Sequence, residues 1–212
     1  MENNSGFYTL GEEIANAITH GLGLCLAIVG TVIIIVLATL TGDVYKVTSV
    51  SIYGTTLICL YLGSTLYHSI PGKMAKKFLR IVDHSSIYLL IAGSYTPYTL
   101  ISLRNDFGWL MLILVWTCAI VGIFCKAFWL EKFTKLSTIL YIAMGWLVIF
   151  NISNLVKNVP LASVVLLALG GIAYTAGCLF FVKDKWRFNH AIWHIFVLLG
   201  SALQYFSMLF II

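Results

Sequence analysis

Apolar runs of about membrane-spanning length, separated by short polar stretches, organise this chain from end to end. A helix needs about 20 predominantly apolar residues to cross the hydrocarbon core of a bilayer. Seven stretches reach or approach that length: 16–40, 47–69, 83–103, 107–125, 136–154, 160–182 and 190–212. The connections between them are too short to hold a soluble domain, and no internal repeat or low-complexity segment interrupts them. The pattern predicts an all-α fold: a single seven-transmembrane helix bundle over residues 1–212, with a short polar N-terminal segment at 1–13.

Lysine and arginine then give the bundle a direction. Lys73, Lys76, Lys77 and Arg80 fall between the second and third stretches, Lys126, Lys132 and Lys135 between the fourth and fifth, and Lys183, Lys185 and Arg187 between the sixth and seventh. The opposite connections hold only Lys46, Arg104 and Lys157. Basic residues concentrate on the cytoplasmic side of membrane proteins, so the expected N-terminus is cytoplasmic and the C-terminus outside. A G-protein-coupled receptor has the reverse orientation, and a retinal protein needs a lysine in its last helix, which 190–212 lacks.

Composition agrees with the pattern. The chain is 60% hydrophobic and 10% charged, with a mean hydropathy of +0.97, whereas soluble domains are about 25% charged. The net charge of +5 is therefore a matter of topology, and no nucleic-acid partner is expected. The acidic, polar N-terminus has no basic region that would begin a cleavable signal peptide. The cysteines Cys25, Cys59, Cys118, Cys125 and Cys178 form no CxxC pair and read as small apolar residues.

Against this background the ionisable residues inside the spans are few, and each is a functional candidate because burial in lipid is costly. The last span opens Asn189-His190-Ala191-Ile192-Trp193-His194, and histidines at i and i+4 share a helix face with Cβ atoms about 5–6 Å apart. The second span ends with Ser64 and His68 at the same spacing, the third begins with Asp83 and His84, and the first carries Glu13, Asn16 and His20 on one face. With the orientation above, His68, Asp83, His190 and His194 all arrive at the cytoplasmic level of the bilayer. Three neutral imidazoles suit Zn²⁺ with water in the fourth position, and such water has a pKa of about 7. Asp83 could take a proton from that water, with Ser64 hydrogen-bonding to either. The competing reading of the pair is two interfacial histidines at a helix mouth, and both stand at this point.

Other features have structural readings. His84 points about 100° away from its neighbour Asp83 and reads as an interfacial or supporting residue. Glu13 and His20 read as a capped, partly wet helix start or as supports of the site. Pro97 is expected to kink the third span. Trp109, Trp129, Trp186 and Trp193 read as interfacial anchors, and Gly170, Gly171 and Gly177 as places of close helix packing.

Taken together, Glu13-x-x-Asn16-x-x-Thr19-His20-x-x-Gly23, Ser64-x-x-x-His68, Asp83-x-Ser85-x-Ile87 continuing to Gly93-Ser94-Tyr95-x-Pro97, and His190-x-x-x-His194 resemble the hemolysin III family. That family is the bacterial branch of the progestin and adipoQ receptors and is similar to the alkaline ceramidases. The resemblance covers essentially the whole chain. It implies a seven-helix membrane protein with a cytoplasmic N-terminus and zinc near the cytoplasmic face, held by His68, His190 and His194, with Asp83 and Ser64 around the zinc-bound water. The long N-terminal domain of the animal receptors has no counterpart here, which disfavours receptor-style signalling.

Two functions follow as expectations. The first is a zinc-dependent hydrolase of a lipid amide or ester in the cell membrane, serving membrane-lipid homeostasis, with Asp83 and Ser64 catalytic and a membrane lipid as substrate. The second is a non-enzymatic, hemolysin-type pore former or regulator of membrane fluidity in which zinc only pins helices. A homo-oligomer is compatible with either. A zinc transporter is disfavoured, because no histidine or acidic residue lies in the outer half of any span; Asp43 and Asp106 read as turn residues.

Overall fold

A computed structural model describes residues 8–129, 134–182 and 186–212. Eight α-helices make up nearly all of it: α1 (Leu10–Leu40), α2 (Val44–Ser69), α3 (Lys73–Pro97), α4 (Trp109–Trp129), α5 (Thr134–Gly145), α6 (Ile152–Asn158), α7 (Leu161–Val182) and α8 (Asn189–Leu209). Among the described residues there is no strand. Six segments are long and apolar enough to cross a membrane: Leu10–Leu40, Val44–Ser69, Arg104–Phe128, Leu136–Asn158, Leu161–Val182 and Asn189–Leu209. The protein is a multi-pass membrane protein. Of the basic residues used for orientation, Lys132, Lys183 and Lys185 lie outside the described residues, as does most of the polar segment 1–13.

The helices begin where their sequences dictate. Thr9 caps α1 through a capping box with Glu12: the Thr9 hydroxyl accepts from the Glu12 amide, and the Thr9 amide donates to Glu12 Oε2 at 2.9 Å. Asp43 caps α2 by accepting from the Tyr45 amide at 2.8 Å. Gly72, at φ +107°, turns the chain from α2 into α3, a conformation that favours glycine.

Several expectations need correction. The third helix starts at Lys73, ten residues before Asp83, so Lys73, Lys76, Lys77 and Arg80 lie in its first turns and not in a loop. Met74 and Phe78 of those turns are exposed while Lys76 turns inward, an amphipathic start suited to a bilayer surface. Lys126 is likewise helical, near the end of α4, and buried. The fifth span is not one helix. It breaks at Trp146 into α5, a 3₁₀ turn at Leu147–Asn151 and α6. Broken backbone inside a membrane must find other partners, and Tyr95 of α3 supplies them: its hydroxyl donates to the Gly145 carbonyl at 2.8 Å and accepts from the Val148 amide at 2.9 Å. Asn151 and Asn158 also bind Asp106, at its carbonyl and carboxylate respectively, so Asp106 fastens the turn it was expected merely to decorate.

Packing runs α1 on α2, α2 on α3, α3 on α4, and α7 on α8, with α8 closing against α1. Pro97 ends α3, and the chain continues in a wide π turn over Tyr98–Ser102. Trp193 is not an interfacial anchor. It is buried against Phe181, with ring centroids 5.5 Å apart, and against Gly177, where any Cβ would strike its ring. Two hydroxyl knots tie α8 to its neighbours, Tyr61–Ser201–Tyr174 and Tyr98–Ser207–Ser163.

The α2–α3 contact is the tightest test of this packing. A Cβ on Gly93 would lie 2.0 Å from Thr56 Oγ1 and 2.9 Å from Thr56 Cβ. We expect Gly93→Ala to separate the two helices and to cost about 1–3 kcal/mol, read as a lower thermal midpoint of the detergent-solubilised protein.

Candidate metal centre

Two helices bring the three imidazoles together. His68 comes from the last turn of α2, and His190 and His194 from the first two turns of α8. All three are buried, and one ligand nitrogen from each lies within 4.8 Å of the others. Ring centroids are 5.1 Å apart for His68 and His190, 5.3 Å for His68 and His194, and 4.5 Å for His190 and His194.

Hydrogen bonds fix which nitrogen faces inward. Glu13 Oε2 lies 2.6 Å from His68 Nδ1, and since a carboxylate only accepts, Nδ1 carries the proton and Nε2 the lone pair. His68 Nε2 is buried with no partner. His194 Nδ1 lies 3.2 Å from the Asn16 carbonyl, which also only accepts, so its Nε2 is the free lone pair as well. His190 Nε2 is buried and unpartnered. An unsatisfied imidazole nitrogen in a membrane interior costs free energy, and two such nitrogens beside a third lone pair make a donor set for a divalent cation. A carboxylate or carbonyl behind each ligating histidine is the usual way such ligands are oriented. This cluster could hold a metal ion.

Glu13 does more than was expected of it. It is buried, not wet, and its second oxygen accepts from Lys76 Nζ at 2.7 Å. Lys76 also donates to the Tyr67 carbonyl. The start of α3 therefore neutralises the carboxylate that orients His68. Nothing in helical spacing announces this link, since it depends on how α1 and α3 meet. Glu13→Gln is expected to leave the fold intact and weaken metal binding about 10–100-fold, measured by chelator competition on purified protein.

The remaining residues surround the cluster. His20 stacks on His194 with centroids 3.4 Å apart, and both its nitrogens are buried without partners. The Tyr8 ring covers His190 at 5.1 Å and His68 at 5.8 Å; the sequence reading missed it, because it precedes the first helix. Asp83 and Ser64 are buried beside His68, and the Ser64 hydroxyl adjoins the Asp83 carboxyl without a formed hydrogen bond. His84 Nε2 lies 3.9 Å from Asp83 Oδ2, and its ring is 6.0 Å from that of Phe181.

Comparison with known proteins gives the chain a family. The family described as Haemolysin-III related matches residues 8–205. The chain belongs to the haemolysin-III family. Hemolysin-3 of Bacillus cereus is 50% identical over 199 residues, covering 94% of this chain and 91% of that protein. The Hemolysin-3 homolog of Bacillus subtilis (strain 168) is 46% identical over 203 residues, 96% of this chain and 95% of that one. A more distant haemolysin-III relative is the human monocyte to macrophage differentiation factor, 30% identical over 207 residues, 94% of this chain and 84% of that protein. The family membership that the resemblance implied is thereby established.

Proposed function

We propose that this haemolysin-III protein is a zinc-dependent hydrolase of a lipid amide or ester. The observation that carries the reading is the set of three buried, converging imidazoles, two of them oriented by hydrogen bonds, with a buried carboxyl group beside them. His68, His190 and His194 would hold the ion. When bound, zinc supplies Lewis acidity to a carbonyl and makes water acidic near neutral pH. The chain's own part is the handling of protons and substrate. Asp83 takes a proton as base and returns it to the leaving group, and Ser64 steadies the Asp83 carboxylate. Glu13 and the Asn16 carbonyl keep His68 and His194 in the ligating tautomer.

An apolar cavity of about 160 Å³ supports a lipid substrate. It runs along α3, α5, α7 and α8, lined by Ile87, Leu90, Tyr141, Trp146, Cys178 and Trp193 among others. Trp193 adjoins His194 in sequence, so the cavity comes close to the histidine level.

In this reading α3 is a seventh span, its basic start at the cytoplasmic surface beside the metal, with the N-terminus cytoplasmic and the C-terminus outside. Residues 1–212 then form one domain, which could self-associate in the membrane. The test is fatty-acid release from ceramide-like amides and from ester lipids by the purified, zinc-quantified protein, with and without chelator. Bound zinc with no turnover of any lipid would make the metal structural. The names of the Bacillus relatives favour a second reading, a pore former, and dye leakage from liposomes that persists in His194→Ala would support it.

A further inference from the structure

The apolar cavity that Trp193 lines near the histidine level is lined further along α8 by Gln204. An α-helix rises about 1.5 Å per residue, so Gln204 stands about 15 Å beyond His194 along the helix axis. Eleven residues at about 100° each return to nearly the same face, so Trp193 and Gln204 border one space from two levels. The lipid side of α8 is elsewhere, where Ile195, Leu199, Phe206 and Phe210 are exposed. Gly170 of α7 makes room for the glutamine stem, since a Cβ there would come 2.9 Å from Gln204 Cγ.

Every hydroxyl on the cavity wall is already bonded within the protein: Tyr95 to the broken backbone of the fifth span, Tyr98 to Ser207, Tyr174 to Ser201, and the others to backbone carbonyls. The Trp193 indole and the Gln204 amide form no hydrogen bond among the described residues. An indole offers a single donor, whereas an amide brings one acceptor oxygen and two N–H donors. Inside a bilayer no water is at hand to satisfy them, and unmade bonds cost free energy. Leucine or methionine would fill the place beside Gly170 without that cost. The amide therefore implies a polar group on whatever occupies the cavity.

We propose that Gln204 selects a lipid whose chain carries a hydroxyl group, with the head of the lipid at the histidine level and the hydroxyl bonded to the Gln204 amide. A hydroxyl suits an amide because it both donates and accepts. An extended chain advances about 1.2 Å per bond, so a span of about 15 Å sets the hydroxyl about twelve bonds from the head. A plain methylene chain at the same depth leaves the amide unpaired and binds more weakly. This rests on the lipid reading above and deepens it by naming a hydroxylated chain as the substrate class. The recognition itself requires neither metal nor turnover.

Native mass spectrometry of the full-length protein in detergent tests it with 1-octadecanol and 1,12-octadecanediol, uncharged probes that hold no bond to hydrolyse. Wild type is expected to retain the diol about tenfold over the simple alcohol, the scale of leaving one buried polar group unpaired. Gln204→Met keeps the length of the side chain and removes the amide, and should bring the ratio near one. A second arm needs no variant: 1,4-octadecanediol has the same groups with the second hydroxyl near the head, and wild type should favour it little over octadecanol. Equal retention of the 1,12-diol and octadecanol by wild type, an unchanged ratio in Gln204→Met, or an equal preference for the 1,4-diol would overturn the proposal. His194→Ala should lose metal yet keep the preference for the 1,12-diol, so failure of the hydrolase reading and failure of this one are read separately.

Discussion

His194→Ala protein, purified alongside wild type, should carry less than about a tenth of a zinc per chain where wild type carries about one. The effect is large because three protein ligands share the whole of the ion's binding, which reaches about 10–16 kcal/mol in structural sites. His194 is held from α1, where its Nδ1 lies 3.0 Å from the Thr19 hydroxyl and 3.2 Å from the Asn16 carbonyl. His20→Ala is the informative control. His20 stacks on His194 at 3.4 Å but stands outside the group of converging ligand nitrogens, so its loss should leave most of the metal in place. Elemental analysis decides between the two. Wild type without metal, or His194→Ala with as much as wild type, sinks the metal centre. Metal lost equally from His20→Ala would make His20 a fourth ligand.

Much of this centre was legible in the sequence for a physical reason. Histidines are conspicuous in an apolar chain, and i, i+4 spacing fixes a shared face without any knowledge of tertiary structure. The shared face of Glu13, Asn16 and His20 on α1 followed from the same rule, while their burial did not. What was hidden depends on contacts between helices. Lys76 and Lys126 counted equally as loop charges, yet one turns in to hold Glu13 and the other is buried against α3. Trp193 was read as an anchor because tryptophans gather at interfaces, whereas Gly177 leaves the space that lets it pack inside. The break at Trp146 was also illegible: the apolar run is uninterrupted, and only Tyr95, fifty residues earlier, reveals how the broken backbone is satisfied. The third span was recognised by its apolar half, while its charged half was taken for a loop, so the helix was predicted ten residues too short at its start.

Asp83→Asn should lower lipid hydrolysis by about 10²–10⁴-fold, the usual contribution of a positioned general base, while leaving metal content near that of wild type. Asparagine keeps the shape of the side chain and its place in the packing but cannot take up a proton. Asp83 is buried, and the Ser64 hydroxyl beside it lacks a formed hydrogen bond, so the substitution disturbs few existing contacts. Ser64→Ala should cost much less, about tenfold or below, because it removes one hydrogen bond to the base and not the base itself. The pairing of the two measurements gives each outcome a distinct meaning. Loss of activity with metal retained assigns proton transfer to Asp83. Loss of both makes Asp83 part of the metal's own ligand field. Full activity in Asp83→Asn removes it from the reaction and leaves its burial beside His68 as a purely electrostatic counterweight to the basic start of α3. A hydrolase needs a proton acceptor at this level of the bilayer, and Glu13 is already engaged by His68 and Lys76. Among the described residues, the buried carboxyl group left to serve is Asp83.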